Sequence, residues 1–179
     1  MSEQSNTRRF EELMLPHLDA AHNLARWLMQ GDSDAEDVVQ EAYLRAYRFF
    51  HGFHGEKARA WLLAIVRNTA FTMMQARGAT VPLDVEHAPN DSQISGDAEN
   101  PEAILARSDE RRLVNEALRK LPVEYREVIV LREIEELSYR EIAQVTSAPI
   151  GTVMSRLSRA RKLLAEHFAA GTKEPNHGL

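Results

Sequence analysis

The sequence predicts an all-α fold of two small helical domains joined by an acidic linker. Apolar residues recur at helical spacing over most of the chain. No alternating apolar–polar stretch is long enough for a sheet strand. Residues 78–103 break the helical pattern: they hold six acids, three prolines and two glycines, and no Lys or Arg. A structureless stretch of that length is unusual inside one compact domain. It therefore separates an N-terminal unit over 1–77 from a C-terminal unit over 104–170, with a tail over 171–179.

In the N-terminal unit, Phe10, Leu13, Met14, Leu18, Ala21, Leu24, Ala25 and Leu28 fall on one helical face. Pro16 interrupts it, which predicts a kink or a late helix start. Gly31-Asp32 ends that stretch. Ser33-Asp34-Ala35-Glu36 then has the capping-box spacing and opens a second helix to about residue 50, with Ala35, Val38, Val39, Ala42 and Ala46 inward. Residues 51–57 form a loop with two glycines. A third helix follows from about 58 to 75, its apolar side being Trp61, Leu62, Ile65, Val66 and Thr69. The C-terminal unit reads as four helices. They run over about 103–120 and 123–134, then from Ser138 to Val145, and from Ile150 to Phe168.

The last two helices have helix-turn-helix spacing. Ala143 is small enough for a close crossing, Ser147 stands at the turn where glycine is usual, and Val153 faces back to the core. The final helix carries Arg156, Arg159, Arg161 and Lys162, and no acid occurs from 150 to 165. Helical positions lie about 100° apart, so Arg156 and Arg159 share a face, with Ser155, Ser158 and Lys162 near it. Such a face suits a major groove. Spacing alone leaves a plain solvated basic face equally open.

Composition limits the function. The net charge is −5 over 179 residues, whereas free-standing DNA-binding domains are strongly basic. Nucleic-acid contact must come from local patches or through a partner that adds affinity. The chain has no cysteine, so disulfides and thiolate metal sites are excluded. That fits a reducing, cytoplasmic setting. No apolar run is long enough for a membrane span, and the N-terminus lacks the apolar stretch of a secretory signal. No enzyme motif is present: there is no Gly-rich phosphate loop, nucleophile motif or acidic pair. His51 and His54 beside two glycines read as polar loop residues rather than metal ligands, and no cofactor or metal is expected.

Three stretches together resemble a known family. They are Asp34 to Ala46, Ala60 to Asn68, and the Leu121-Pro122, Leu137 to Ala143 and Gly151 to Arg161 series. They resemble region 2 and region 4 of the extracytoplasmic-function (ECF) RNA polymerase sigma factors, group IV of the primary sigma family, in family order on both sides of a linker. The resemblance implies an adaptor that directs core RNA polymerase to promoter DNA, within a stress or envelope response held in check by an anti-sigma factor.

It also implies roles for particular residues. Asp37, Gln40 and Glu41, with Leu44, would bind the clamp helices of the largest polymerase subunit, and region 4 would meet the flap of the second-largest. The loop at 51–59 would hold an unstacked base of the minus-ten element, with Phe53, His54, Lys57, Arg59 and Trp61 available. Arg67, Asn68 and Arg77 would hold phosphates. Trp61 serves equally well as a core anchor. Where the primary sigma factors have a second Trp this chain has Leu62, which implies a reduced melting wedge and stricter promoter choice.

The last helix would read the minus-thirty-five element. Ser155, Ser158 and Arg159 would face bases, Arg156, Arg161 and Lys162 phosphates, and Thr152 would belong to the same DNA-facing surface. Met154 replaces a residue that is commonly basic in the family, which puts the base preference in doubt and lowers the salt dependence by about one unit. In relatives the linker threads the polymerase interior; a solubilising tether is the alternative. The two bundles, held only by that tether, would grip a promoter when polymerase presents both at fixed spacing. Two other readings remain: a regulator with a similar output domain, which would need a sensory domain, and a decoy that lost promoter recognition.

Overall fold

The computed structural model describes residues 2–29, 31–78 and 101–171, with side chains at 101–106 excepted. Those residues are predominantly helical and contain no strand. The expected linker segment at 79–100, including its proposed path, and the tail beyond 171 lie outside the described residues.

Helix α1 (Glu3–Met14) is capped by Ser2 and ends two residues before Pro16. A tight turn over Leu15–His17 carries the chain into α2 (Leu18–Met29). There the Leu18 N–H donates to Leu15 O. The Met14 carbonyl instead accepts the Tyr43 hydroxyl at 2.8 Å, which ties the kink to the next helix. Of the predicted stripe, Phe10, Met14, Ala21, Leu24, Ala25 and Leu28 are buried, and Leu18 faces outward.

Helix α3 (Asp32–Phe49) buries all five residues expected of it. Its start differs from the expectation. Gly31, extended at φ −159°, is the cap residue, and its carbonyl accepts Ala35 N at 3.0 Å. The helix thus begins one residue before Ser33, which lies inside the first turn and is not the cap. Asp32 and Asp34 in that turn complement the helix dipole.

Helix α4 (Ala58–Ala76) is the centre of the molecule. It packs on α2 and α3 and, on its other side, on α7. A helix flanked twice needs a wide apolar arc. Accordingly Ala60, Leu63 and Ala70 are buried beside Leu62, Val66 and Thr69, while Trp61 and Ile65 are half-buried.

Helix α5 (Pro101–Lys120) starts inside the segment assigned to the linker, because Pro101 suits a first helical position. Helix α6 (Val123–Ile129) widens into a π turn over Val130–Ile134, where Glu135 N donates to Val130 O at 3.0 Å. Helix α7 (Tyr139–Thr146) carries a full capping box: Glu141 N donates to Ser138 Oγ and Ser138 N to the Glu141 carboxylate. Ser147 adopts the left-handed conformation that glycine usually supplies, at φ 51°. Helix α8 (Ile150–Gly171) then buries Val153, Leu157 and Ala160.

The two units do not stand apart as separate bundles. Helix α7 packs on α4 and α6 on α2, so one apolar cluster runs through both. Arg126 fastens the joint. It is buried, and its guanidinium donates to the carbonyls of Leu118, Arg119 and Leu121 at the end of α5, and to Trp27 O in the last turn of α2 at 2.7 Å. Helix ends leave such carbonyls without intrahelical donors, and an arginine fork can serve several. Burial, with Arg119 nearby, pushes its pKa down to about 10, which still leaves it charged at neutral pH.

Candidate nucleic-acid interface

Three surfaces carry the residues singled out from sequence. On α3, Asp37 and Gln40 are exposed, Leu44 is 61% exposed, and Glu41 is half-buried. The 3.6-residue period puts these four on one stripe. Glu41 accepts from Arg45 one turn on, at 2.8 Å.

On α8, Ser155, Ser158, Arg159, Arg161 and Lys162 are exposed, whereas Thr152 and Arg156 are half-buried. The apolar side against α6 holds this basic face outward. Ser155 Oγ donates to Thr152 O at 3.0 Å, so it must turn from its own helix to reach a base. Arg161 donates to Glu133 at 2.7 Å. Both partners are about half exposed, which makes the pair worth about 0–1 kcal/mol.

The third surface joins the loop at 50–57 to α4. Gly52, His54, Gly55, Glu56, Lys57 and Trp61 line a shallow groove of about 590 Å³ with Phe53 beneath. Phe53 does not present its ring as expected. It is only 4% exposed, stacked on Phe50 at 5.9 Å and against Trp61 at 4.9 Å. The aromatic floor available to a base is therefore the half-exposed Trp61, which Phe53 supports from below. Trp61 packs one side on Phe53 and lines the groove with the other. His54 and Asn68 are exposed. Arg77 donates to Asp34 of α3 at 2.6 Å, and this hydrogen bond raises its pKa.

The acids that meet these cations were missed in the sequence. Lys57 lies 3.9 Å from Glu141, Arg59 2.6 Å from Glu135, and Arg67 grips Glu127 with two bonds at 3.0 and 3.2 Å. Glu127 is fully buried, and burial raises its carboxyl pKa against the opposing pull of Arg67. The sequence signal was the density of acids between 124 and 141, next to the acid-free stretch at 150–165. Among the described residues no three His, Asp or Glu side chains converge on a metal site, and no helix is long and apolar enough to cross a membrane.

Comparison with known proteins finds two family models along the chain. The family model "Sigma-70 region 2" matches residues 13–80 and "Sigma-70, region 4" matches 111–164. The RNA polymerase sigma-H factor of Pseudomonas aeruginosa is 34% identical over 169 residues, covering 90% of this chain and 87% of that protein. The ECF RNA polymerase sigma-E factor of Escherichia coli is 38% identical over 147 residues, covering 79% and 76%. Among solved structures, the sigma factor RpoE of Bartonella quintana, in complex with the anti-sigma factor NepR, aligns at a TM-score of 0.73 with 28% identity, over 90% of this chain and 98% of that one. CnrH in complex with the cytosolic domain of CnrY aligns at 0.64 with 27% identity, over 92% and 90%. With both family regions in order and relatives aligned over most of their length, the chain belongs to the ECF sigma factors.

Proposed function

We propose that this protein directs core RNA polymerase to specific promoters and is restrained by an anti-sigma factor. What carries the reading is one juxtaposition in a single chain: the exposed acid-amide stripe of α3 and the outward basic face of α8. The first suits a basic partner helix, the second a major groove. In this reading region 2 spans 1–77 and region 4 spans 104–170, with 78–103 as linker. Asp37, Gln40, Glu41 and Leu44 dock on the polymerase clamp, and region 4 meets the flap.

His54, Lys57, Arg59 and Trp61 face the minus-ten strand, with Phe53 supporting Trp61, and Arg67, Asn68 and Arg77 hold its backbone. Ser155, Ser158 and Arg159 face minus-thirty-five bases, flanked by Arg156, Arg161 and Lys162 on phosphates, with Thr152 on the same surface. The protein acts in the cytoplasm, as an adaptor rather than an enzyme, and serves a stress or envelope response. An anti-sigma partner is supported by the complex of the structural relative RpoE with the anti-sigma factor NepR.

Run-off transcription with purified core polymerase tests this. Discrete starts that depend on this chain alone support it. Starts that also need another sigma factor would make it an activator, and no starts at all would make it a decoy.

A further inference from the structure

We propose that Met154 is a base-reading residue of α8, and that it recognises the 5-methyl group of a thymine in the major groove of the upstream promoter element. The proposal rests on the promoter-binding reading given above and adds one named base feature to it.

Its first basis is position. Met154 is the fifth residue of α8, in the N-terminal part from which a major-groove helix contacts base edges. It is 50% exposed although its side chain is apolar. The core of α8 is made by Val153, Leu157 and Ala160, and Met154 is not among the side chains packed on it. The 100° step of a helix puts Met154 about 40° from the exposed Ser158, on the flank opposite the half-buried Thr152 and Arg156. Ile150, one turn earlier on the same flank, is exposed as well.

The second basis is charge. The exposed neighbours of Met154 on α8 are Ser155, Ser158, Arg159, Arg161 and Lys162, and no acid occurs from 150 to 165. An apolar side chain set in a cationic, acid-free face suits a polyanion that carries apolar marks of its own. Duplex DNA is such a partner, and the thymine methyl is the apolar mark in its major groove.

The third basis is the inventory of readers. Adenine is read by the paired donor and acceptor of Asn or Gln, and cytosine by a carboxylate. Between 150 and 165 α8 has neither type. Arg159 or Lys162 serves guanine, while short hydroxyls discriminate little. The Ser155 hydroxyl is moreover bonded to Thr152 O at 3.0 Å. A·T pairs are then distinguished on this helix through the thymine methyl. The thioether of Met154 is flexible and polarizable, which suits that contact. Removing the two apolar groups from water together is worth about threefold to fivefold in affinity.

The test uses holoenzyme, the full chain bound to core polymerase. From a pool of random-sequence duplexes it enriches promoters, and footprinting locates the upstream element. Each thymine of that element, on either strand, is then replaced in turn by uracil, which deletes the methyl and keeps the base pair. At one position uracil should weaken binding by the wild-type holoenzyme about threefold to fivefold. Met154→Ala should weaken binding of the thymine duplex by a similar factor and show no further loss with uracil there. Met154→Lys, as long but charged, should be equally indifferent to the methyl. Both variants place a good helix former at an exposed position, and circular dichroism confirms the fold.

A uracil penalty as large in Met154→Ala or Met154→Lys as in the wild type overturns the proposal. So does an upstream element in which no replacement of thymine by uracil matters. The two readings fail separately. An element that is enriched, and is lost with Arg159→Glu, but ignores the methyl removes the proposal alone. Failure to enrich any element removes the promoter reading, and the proposal with it.

Discussion

Tyr43 shows how one side chain links a kink, a core and a titration. Pro16 forces the chain out of helical continuity, and the tight turn that follows leaves Met14 O to be satisfied from elsewhere. The Tyr43 hydroxyl supplies that bond, and its ring packs edge-on to Phe10 at 6.3 Å. Burial, and then the nearby Asp19, push the phenol up to about 12 from 10.0. The sign follows: the fold prefers the protonated phenol, so its contribution is complete below pH 10.0 and is lost as pH rises through about 12. Absorbance titration at alkaline pH should show a late tyrosine step near pH 12. Tyr43→Phe should remove that late step and destabilise the protein by about 1 kcal/mol in urea unfolding. A late step that persists in the variant belongs to another tyrosine and refutes the assignment.

At the scale of elements, most helices were legible because each buries one periodic stripe. Helix α3 follows its predicted inner face residue for residue. Helix α4 does not, because contact with α7 buries a second arc, and that contact is not encoded in local spacing. Helix starts were legible only where side chain and backbone agree. Ser138 with Glu141 makes the capping box that Ser33 with Glu36 does not, since the carbonyl of Gly31 already accepts the first helical bond. Ser138→Ala should therefore cost about 1 kcal/mol of stability, measured as a lower denaturation midpoint with unchanged slope; no loss would mean that α7 is held by packing alone.

The π turn at Val130–Ile134 had no sequence signature, because it differs from ordinary helix only in which carbonyl each amide reaches. Two functional predictions belong here. Gln40→Ala with Glu41→Ala on α3 should weaken co-elution with core polymerase while helical content is unchanged; full affinity would remove the stripe from that role. Arg159→Glu on α8 should abolish footprint protection of the upstream promoter element, and unchanged protection would move the recognition face elsewhere.

At the scale of the molecule, what the sequence hid is the joint. Its bonds connect residues separated by 60 to 112 positions, and periodicity carries no trace of partners so distant. The acids of α6, the π turn and α7 have no role in local spacing; they gain their partners only where α4 lies beside them. Arg126 is the sharpest case, a cation that the structure buries. It satisfies carbonyls at the ends of α5 and α2 together, so it belongs to both units.

Removing it has a calculable outcome. Arg126→Met keeps most of the apolar stem but takes the guanidinium donor from the Leu121 and Trp27 carbonyls, while Leu118 O keeps the Leu121 N–H at 3.2 Å. Each unsatisfied buried group costs about 1–3 kcal/mol, and water entering the joint recovers part of that, so a total near 3 kcal/mol is expected. The loss should fall on the joint more than on either core, because Trp27 O is the bond that crosses it. Hydrogen exchange should then quicken first in the facing turns of α2 and α6, with α3 protected as before. Uniform quickening throughout the chain would instead make Arg126 a support of the region 4 core alone.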